Sequence, residues 1–275
     1  MSEALKVAAI QMASGPNTTA NLIETERLIG LSAEAGAGLI VLPENFAFMG
    51  QQDRDLLRLA EDDGNGQLQG FLAKMARRYG VWLVGGTVPI RTSDPERVRS
   101  AALIYNAQGD RVARYDKLHL FDAVLPSGGE RYQESATIAP GEQSPVVDTP
   151  FGRLGVLICY DLRFPETARR MIDSGLEILA VPAAFTAQTG KAHWETLVRA
   201  RAVENLAYVI AAAQGGFHLS GRETYGHSMV VDPWGNVLAE VARGVGQVCC
   251  PLDRDRQAFL RKTFPVLEHR RLKCR

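Results

Sequence analysis

The sequence predicts an α/β protein, and three observations carry that prediction. Short apolar runs of strand length alternate with amphipathic helical stretches along nearly all of the 275 residues. Gly-containing turns join several of the runs in pairs, as hairpins require. No Pro/Ser-rich linker, charge block or low-complexity stretch interrupts the pattern, so residues 1–275 read as one domain whose sheets need helical cover on their apolar outer faces.

Taken in order, residues 6–10 read as a strand, and Asn17 or Thr18 is positioned to cap the helix that follows. Leu22, Thr25, Ile29 and Ala33 share one face of that helix. Gly36-Ala37-Gly38 ends it, and residues 39–42 make a short, wholly apolar strand. A second helix over residues 67–79 leads into a strand at 81–84. Hairpins are expected at 101–106 with 111–115, at 146–148 with 153–158, and at 226–231 with 237–241, each around a Gly-containing turn. Helices at about 164–174 and 192–205 precede buried-looking strands at 178–181 and 208–212. The longest non-periodic stretch, 118–143, is rich in Gly, Pro and Ser, and long irregular segments in compact domains are usually functional.

Bulk properties exclude several classes. A hydrophobic fraction of 46% and a charged fraction of 23% are those of an ordinary soluble protein able to bury a core without staples. Lys+Arg and Asp+Glu both number 31, so charge points to neither a nucleic-acid nor a membrane partner; the basic stretch 269–275 reads as a solvated or interface-forming end. The chain opens without a signal-peptide pattern, and no apolar run approaches the ~18 residues of a membrane span. Cys159, Cys249, Cys250 and Cys274 form no CxxC, which argues against a disulfide framework or a zinc site and for a cytoplasmic setting. Gly36, Gly38, Gly85 and Gly86 make neither dinucleotide-binding nor P-loop spacing.

The sharpest local signal is Gly155-Val156-Leu157-Ile158-Cys159-Tyr160-Asp161-Leu162-Arg163-Phe164-Pro165-Glu166. An apolar strand ends at Cys159, and Pro165 suits the first turn of a helix. That order exposes a thiol on a strand-to-helix elbow and lets the backbone N–H of Tyr160 face a developing oxyanion. Alternatively, Cys159 is a core cysteine, as most free cysteines are. A nucleophilic thiol needs a partner, and none of the five histidines is assignable to that role from sequence. Glu44, directly after the apolar strand, offers a base if it faces a cleft; otherwise it is a loop carboxylate. Lys117, between a strand and the Leu118-His119-Leu120-Phe121 loop, offers a fixed positive charge; otherwise it is a surface lysine. All three stand at or just beyond strand ends, where catalytic groups of layered α/β folds gather.

With those residues in view, the chain resembles the nitrilase superfamily of carbon–nitrogen hydrolases over essentially its whole length. The blocks Ile158–Glu166 and Tyr115-Asp116-Lys117-Leu118-His119-Leu120-Phe121 carry the likeness, with Leu42-Pro43-Glu44-Asn45-Phe46 as the third. The resemblance implies a four-layer α-β-β-α sandwich, usually dimerised through helices, and a cofactor-free reaction. It also implies Glu44 as general base, Lys117 as oxyanion stabiliser and Cys159 as the thioester-forming nucleophile, with Lys117→Ala lowering turnover far more than stability. The family's second glutamate matches Glu134 in Tyr132-Gln133-Glu134-Ser135, with Glu130 as the nearby decoy.

A finer likeness is to the deaminated-glutathione amidase branch, a metabolite-repair group. It rests on Thr189-Gly190-Lys191-Ala192-His193-Trp194-Glu195, Ala211-Ala212-Ala213-Gln214, the block from Tyr225 to Gly235, and His269-Arg270-Arg271. The implied reaction splits deaminated glutathione into α-ketoglutarate and cysteinylglycine. An ω-amidase, an N-carbamoyl amine hydrolase and a silent scaffold on the same fold are the alternatives. Arg163 is a candidate for a substrate carboxylate, or for an internal pair with Glu166 or Asp161. Tyr160, Phe185 and Thr186 are candidates for shaping the acyl pocket, with packing as the alternative. The expected partners are a small-molecule amide and a second copy of the chain.

Overall fold

The structure, a computed structural model, describes residues 5–126 and 131–272. The chain start, Glu130, Cys274 and the end of the basic tail lie outside them.

Two sheets stack face to face between two helical layers. The first has seven strands, in the order Gly246–Pro251, Lys6–Gln11, Ala37–Val41, Trp82–Val84 and Val98–Tyr105, with Val88–Arg91 and Arg111–Asp116 also paired to the last of these. The second has six, in the order Val237–Val241, Ser228–Val231, Tyr208–Ala213, Ile178–Ala183, Gly152–Val156 and Val146–Thr149. Helices α1 (Thr18–Glu34) and α2 (Gln67–Tyr79) cover the first sheet; α3 (Pro165–Asp173) and α4 (Ala187–Asn205) cover the second.

Strand periodicity explains the layering. Ala8 and Ile10 pack beneath α1 and α2 with Leu28, Leu72 and Met75, whereas Val7 and Ala9 face the other sheet with Leu39, Ile104, Val156 and Ile210. Leu157, Leu179 and Val181 turn the opposite way, onto Trp194 and Val198 of α4. Parallel strands buried on both faces read as unbroken apolar runs, which is why residues 39–42 and 178–181 carry no alternation. The α-β-β-α sandwich expected from the resemblance is the fold observed.

Element ends differ from the sequence reading where packing overrides pattern. Asn17, not Thr18, caps α1, accepting from the Ala20 N–H. Helix α4 begins at Ala187 rather than near 192 because buried Thr186 caps it, its Oγ1 accepting from the Thr189 N–H. That first turn includes Gly190, a weak helix former, and a Cβ there would lie 2.2 Å from the Tyr225 side chain. Helix α5 (Arg254–Thr263) escapes the apolar pattern because only Gln257 and Leu260 are buried on it. The strand Gly246–Pro251 puts neighbouring Cys249 and Cys250 on opposite faces of the first sheet, so the two thiols belong to different layers. The irregular stretch after Lys117 holds a ribbon of Asp122–Val124 with Arg131–Gln133, then a 3-10 turn at Glu134–Ala136. Among the described residues, no helix is long and apolar enough to cross a membrane.

Candidate active site

Three strands of the sandwich deliver the three groups singled out in the sequence. Glu44 follows Ala37–Val41, in a turn held by Gly86 and Thr87 of the neighbouring connection. The Asn45 N–H donates to Thr87 Oγ1 at 2.9 Å. Gly86 has φ +57° and lies so close that a Cβ would sit 2.2 Å from the Pro43 carbonyl oxygen. Only glycine tolerates both conditions. Lys117 follows Arg111–Asp116, its N–H donating to the Ser100 carbonyl at 3.0 Å.

Cys159 opens a 3-10 turn, Cys159–Arg163, directly beyond the strand Gly152–Val156 and with φ +48°. A non-glycine residue in that region costs about 1–2 kcal/mol and persists only when its surroundings fix it. Asp161 supplies the fixing. Its buried carboxylate accepts from the Ile158 N–H at 3.0 Å, the Tyr115 hydroxyl at 2.7 Å and the His119 N–H at 2.8 Å, with His119 Nδ1 also at 2.8 Å. The His119 ring in turn stacks on Phe164, centroids 3.7 Å apart. One side chain thus fastens the cysteine elbow to the segment that carries Lys117.

The electrostatics centre on Lys117, whose side chain is only 2% exposed. Its Nζ lies 2.8 Å from Glu44 Oε1 and 2.7 Å from Glu134 Oε1, and Glu134 Oε2 accepts from the Phe121 N–H at 2.7 Å. Burial disfavours the ammonium, but the carboxylates of Glu134 and Glu44 outweigh it and hold the lysine pKa well above its ordinary value. Burial likewise lifts the Glu134 carboxyl, partly offset by Lys117. The Cys159 thiol is pushed far up, first by burial and then by the Glu44 carboxylate, which also hydrogen-bonds it; Lys117 and the Ala184 backbone pull the other way without prevailing. That shift favours the protonated thiol, with the Glu44 carboxylate on the same cavity wall.

Glu44, Lys117, Glu134 and Cys159 line a cavity of about 540 Å³, whose other walls include Arg131, Tyr132 and Arg222. The four candidates for substrate contact lie beside that cavity rather than on its lining. Tyr160 packs on Phe121 at 5.1 Å between centroids, Phe185 packs on Trp194 at 5.0 Å, and Thr186 caps α4. Arg163 pairs with neither Glu166 nor Asp161. Its guanidinium stands 5.1 Å from the Phe185 ring and 5.7 Å from the Tyr160 ring, with Nη1 3.2 Å from His193 Nδ1. The internal pair is absent because Asp161 is occupied by Tyr115, His119 and Ile158. Among the described residues, no three His, Cys, Asp or Glu side chains are grouped as a bound metal ion would need.

Sequence reasoning missed Asp161, Gln214, Arg131 and Arg222. Gln214 is wholly buried, and its Nε2 donates to the Glu44 carbonyl at 3.0 Å and to Ser14 Oγ at 2.8 Å. A buried amide in an alanine run was its only sequence signal. Asp161 stood inside the sharpest motif, but two of its partners, Tyr115 and His119, lie more than forty residues away. Nothing local marks the two arginines.

The sequence profile of the carbon–nitrogen hydrolase family matches residues 6–256. The chain is 42% identical to the deaminated glutathione amidase of Yersinia enterocolitica, over 96% of this chain and 92% of that one. Among solved structures it superposes on Saccharomyces cerevisiae Nit3, a member of branch 10 of the nitrilase superfamily, with TM-score 0.88 and 32% identity, covering 99% of this chain and 98% of that one. A variant of the Nesterenkonia sp. AN1 amidase, with acrylamide added to its active-site cysteine, superposes with TM-score 0.77 and 28% identity, covering 94% of this chain and 99% of that one. The profile match over nearly the whole fold, together with a full-length relative at this identity, establishes that the chain belongs to the carbon–nitrogen hydrolase family.

Proposed function

We propose that the chain is an amidase hydrolysing a linear carbon–nitrogen amide through a cysteine thioester, with deaminated glutathione as substrate. The observation that carries this reading is that Glu44, Lys117 and Cys159 line one cavity, with the Glu44 carboxylate 2.8 Å from the buried Lys117 ammonium. Glu44 takes the thiol proton as sulfur attacks the amide carbonyl. Lys117 and the Tyr160 N–H stabilise the oxyanion, and Glu134 holds Lys117 in position. Glu44 then returns its proton to the departing amine, leaving a thioester. Water, deprotonated by the same carboxylate, attacks the thioester, and the sulfur leaves with a proton.

The substrate assignment is supported by the likeness to the Yersinia enterocolitica protein and by Arg163. Deaminated glutathione carries a 2-oxo acid carboxylate on its acyl half. Arg163, four residues beyond the nucleophile, makes no ion pair with a described carboxylate and is steadied by the Tyr160 and Phe185 rings. We also read the chain as self-associating, since Val203, Trp234 and Phe264 are each about half exposed and Trp234 meets Phe264 edge-on at 5.6 Å.

The test compares product release from deaminated glutathione and α-ketoglutaramate at equal concentration. The first is expected to be preferred; preference for the second would make the chain an ω-amidase instead.

A further inference from the structure

We propose that Arg222, assisted by Arg131, binds the carboxylate at the end of the leaving group and so selects an amide that releases a dipeptide with a C-terminal carboxylate rather than ammonia. This deepens the reading above and rests on it. Both arginines belong to the wall of the cavity that contains Cys159. They come from different elements, Arg131 from the ribbon strand Arg131–Gln133 and Arg222 from the connection between strands Gly215–Phe217 and Glu223–Tyr225. Neither is ion-paired to a described carboxylate, whereas Lys117 in the same cavity is bracketed by two.

One end of the Arg222 guanidinium is held by the backbone. Its Nη2 donates to the Ala184 carbonyl at 2.6 Å. Its Nε is shut off from solvent and meets no acceptor among the described residues. A buried guanidinium N–H without an acceptor is costly, and a planar carboxylate is the ligand such a donor set fits.

Aromatic rings connect this cation to Arg163. The Arg222 guanidinium stands 5.1 Å from the Tyr132 ring, Tyr132 meets Phe121 at 4.9 Å, Phe121 meets Tyr160 at 5.1 Å, and Arg163 stands 5.7 Å from Tyr160. Three rings therefore lie in a row between two guanidinium groups, and Glu134, which grips Lys117, is anchored to the middle one through the Phe121 N–H. Deaminated glutathione has the matching charge pattern, with one carboxylate on the acyl half, one on the leaving half and the scissile amide between. With Arg163, beside the cavity, taking the acyl carboxylate, Arg222 and Arg131 on the cavity wall are left for the carboxylate of the leaving half.

The test measures kcat and KM of wild type, Arg222→Leu, Arg222→Lys and Arg131→Gln on three amides: deaminated glutathione, its terminal carboxamide analogue and α-ketoglutaramate. Arg222→Leu is expected to lose at least about tenfold more kcat/KM on deaminated glutathione than on the other two, chiefly through KM, with Arg222→Lys and Arg131→Gln showing smaller losses of the same selectivity. Equal losses on all three amides would make the arginines structural and overturn the proposal. If Arg222→Leu does not fold, the other two variants decide, and no selectivity change in either overturns it. Wild type failing on deaminated glutathione while hydrolysing α-ketoglutaramate would refute the substrate reading, and this inference with it, before any variant is compared.

Discussion

Glu44 and Asp161 are both buried at the same end of the sandwich, 5% and 0% exposed, yet they are satisfied in different ways. Asp161 is surrounded by donors from two segments of chain, Tyr115 and His119 on one and Ile158 on the other, and every one of them is structural. Glu44 has one strong partner, the Lys117 ammonium, and turns its remaining capacity toward a thiol that holds its proton. A carboxylate saturated with fixed donors has no reason to accept a proton and serves as a clamp. One left incompletely satisfied beside an acid can take a proton and give it back. The comparison predicts that substitutions around Glu44 act on chemistry and substitutions around Asp161 act on folding.

Removing the proposed nucleophile should have the largest effect. Cys159→Ala should lower turnover by at least about 10⁴-fold while leaving the unfolding free energy within about 1 kcal/mol of wild type. Full turnover in that variant would break the assignment at its root. Glu44→Gln keeps the shape and removes the proposed base, so hydrolysis should fall by about 10²–10⁴-fold. Because the Glu44 charge raises the thiol pKa, Cys159 in that variant should alkylate with iodoacetamide at lower pH than in wild type. An unchanged alkylation profile would show that Glu44 does not act on the sulfur.

Lys117→Ala blurs the division, and the structure revises what the sequence led one to expect of it. Turnover should fall about 10²–10³-fold through loss of the oxyanion partner. Stability should fall as well, by about 3–5 kcal/mol, because Glu44 and Glu134 would be left buried without their cation. Chemical denaturation compared with activity at low temperature separates the two losses. Asp161→Asn should cost about 3 kcal/mol and lower the melting temperature by roughly 6–12 °C, since an amide cannot accept from all the donors gathered there. Its activity should follow the folded fraction; a large loss in fully folded protein would mean that Asp161 acts on chemistry after all.

The smallest effect comes from the polar layer beneath Glu44. His218 is buried, Nδ1 donating to the Ser14 carbonyl at 2.8 Å and Nε2 facing the Thr224 hydroxyl at 2.8 Å. Burial holds its pKa below the ordinary 6.5, partly opposed by the Ser14 carbonyl. The unfolded chain therefore binds this proton more readily than the folded one, and stability should decline as pH falls below about 6.5. Urea midpoints between pH 5 and 7 read the slope, and His218→Gln should flatten it.

The first-sheet strand at 39–42, helix α2 and the parallel strands of the second sheet were legible because their burial is uniform or follows one period. Helix α5 and the start of α4 were not, because their stability comes from caps and a few contacts rather than from an apolar stripe. Glu44, Lys117 and Cys159 were legible as residues at strand ends, and their resemblance to a known pattern supplied roles that spacing alone left open. Asp161, Gln214 and Arg222 were hidden for a common reason, that each acts through partners distant in sequence.

By itself, then, the sequence determined the layered α/β class and the strand ends at which reactive groups stand, because alternation, capping and turn chemistry are local properties. Only the tertiary structure decided that Lys117 is buried between Glu44 and Glu134, that Arg163 stays clear of Asp161, and that Arg222 is tied to the backbone beside the thiol. Those are contacts between distant strands, and their strength comes from removing charge from water, which happens only when the two sheets close over the site.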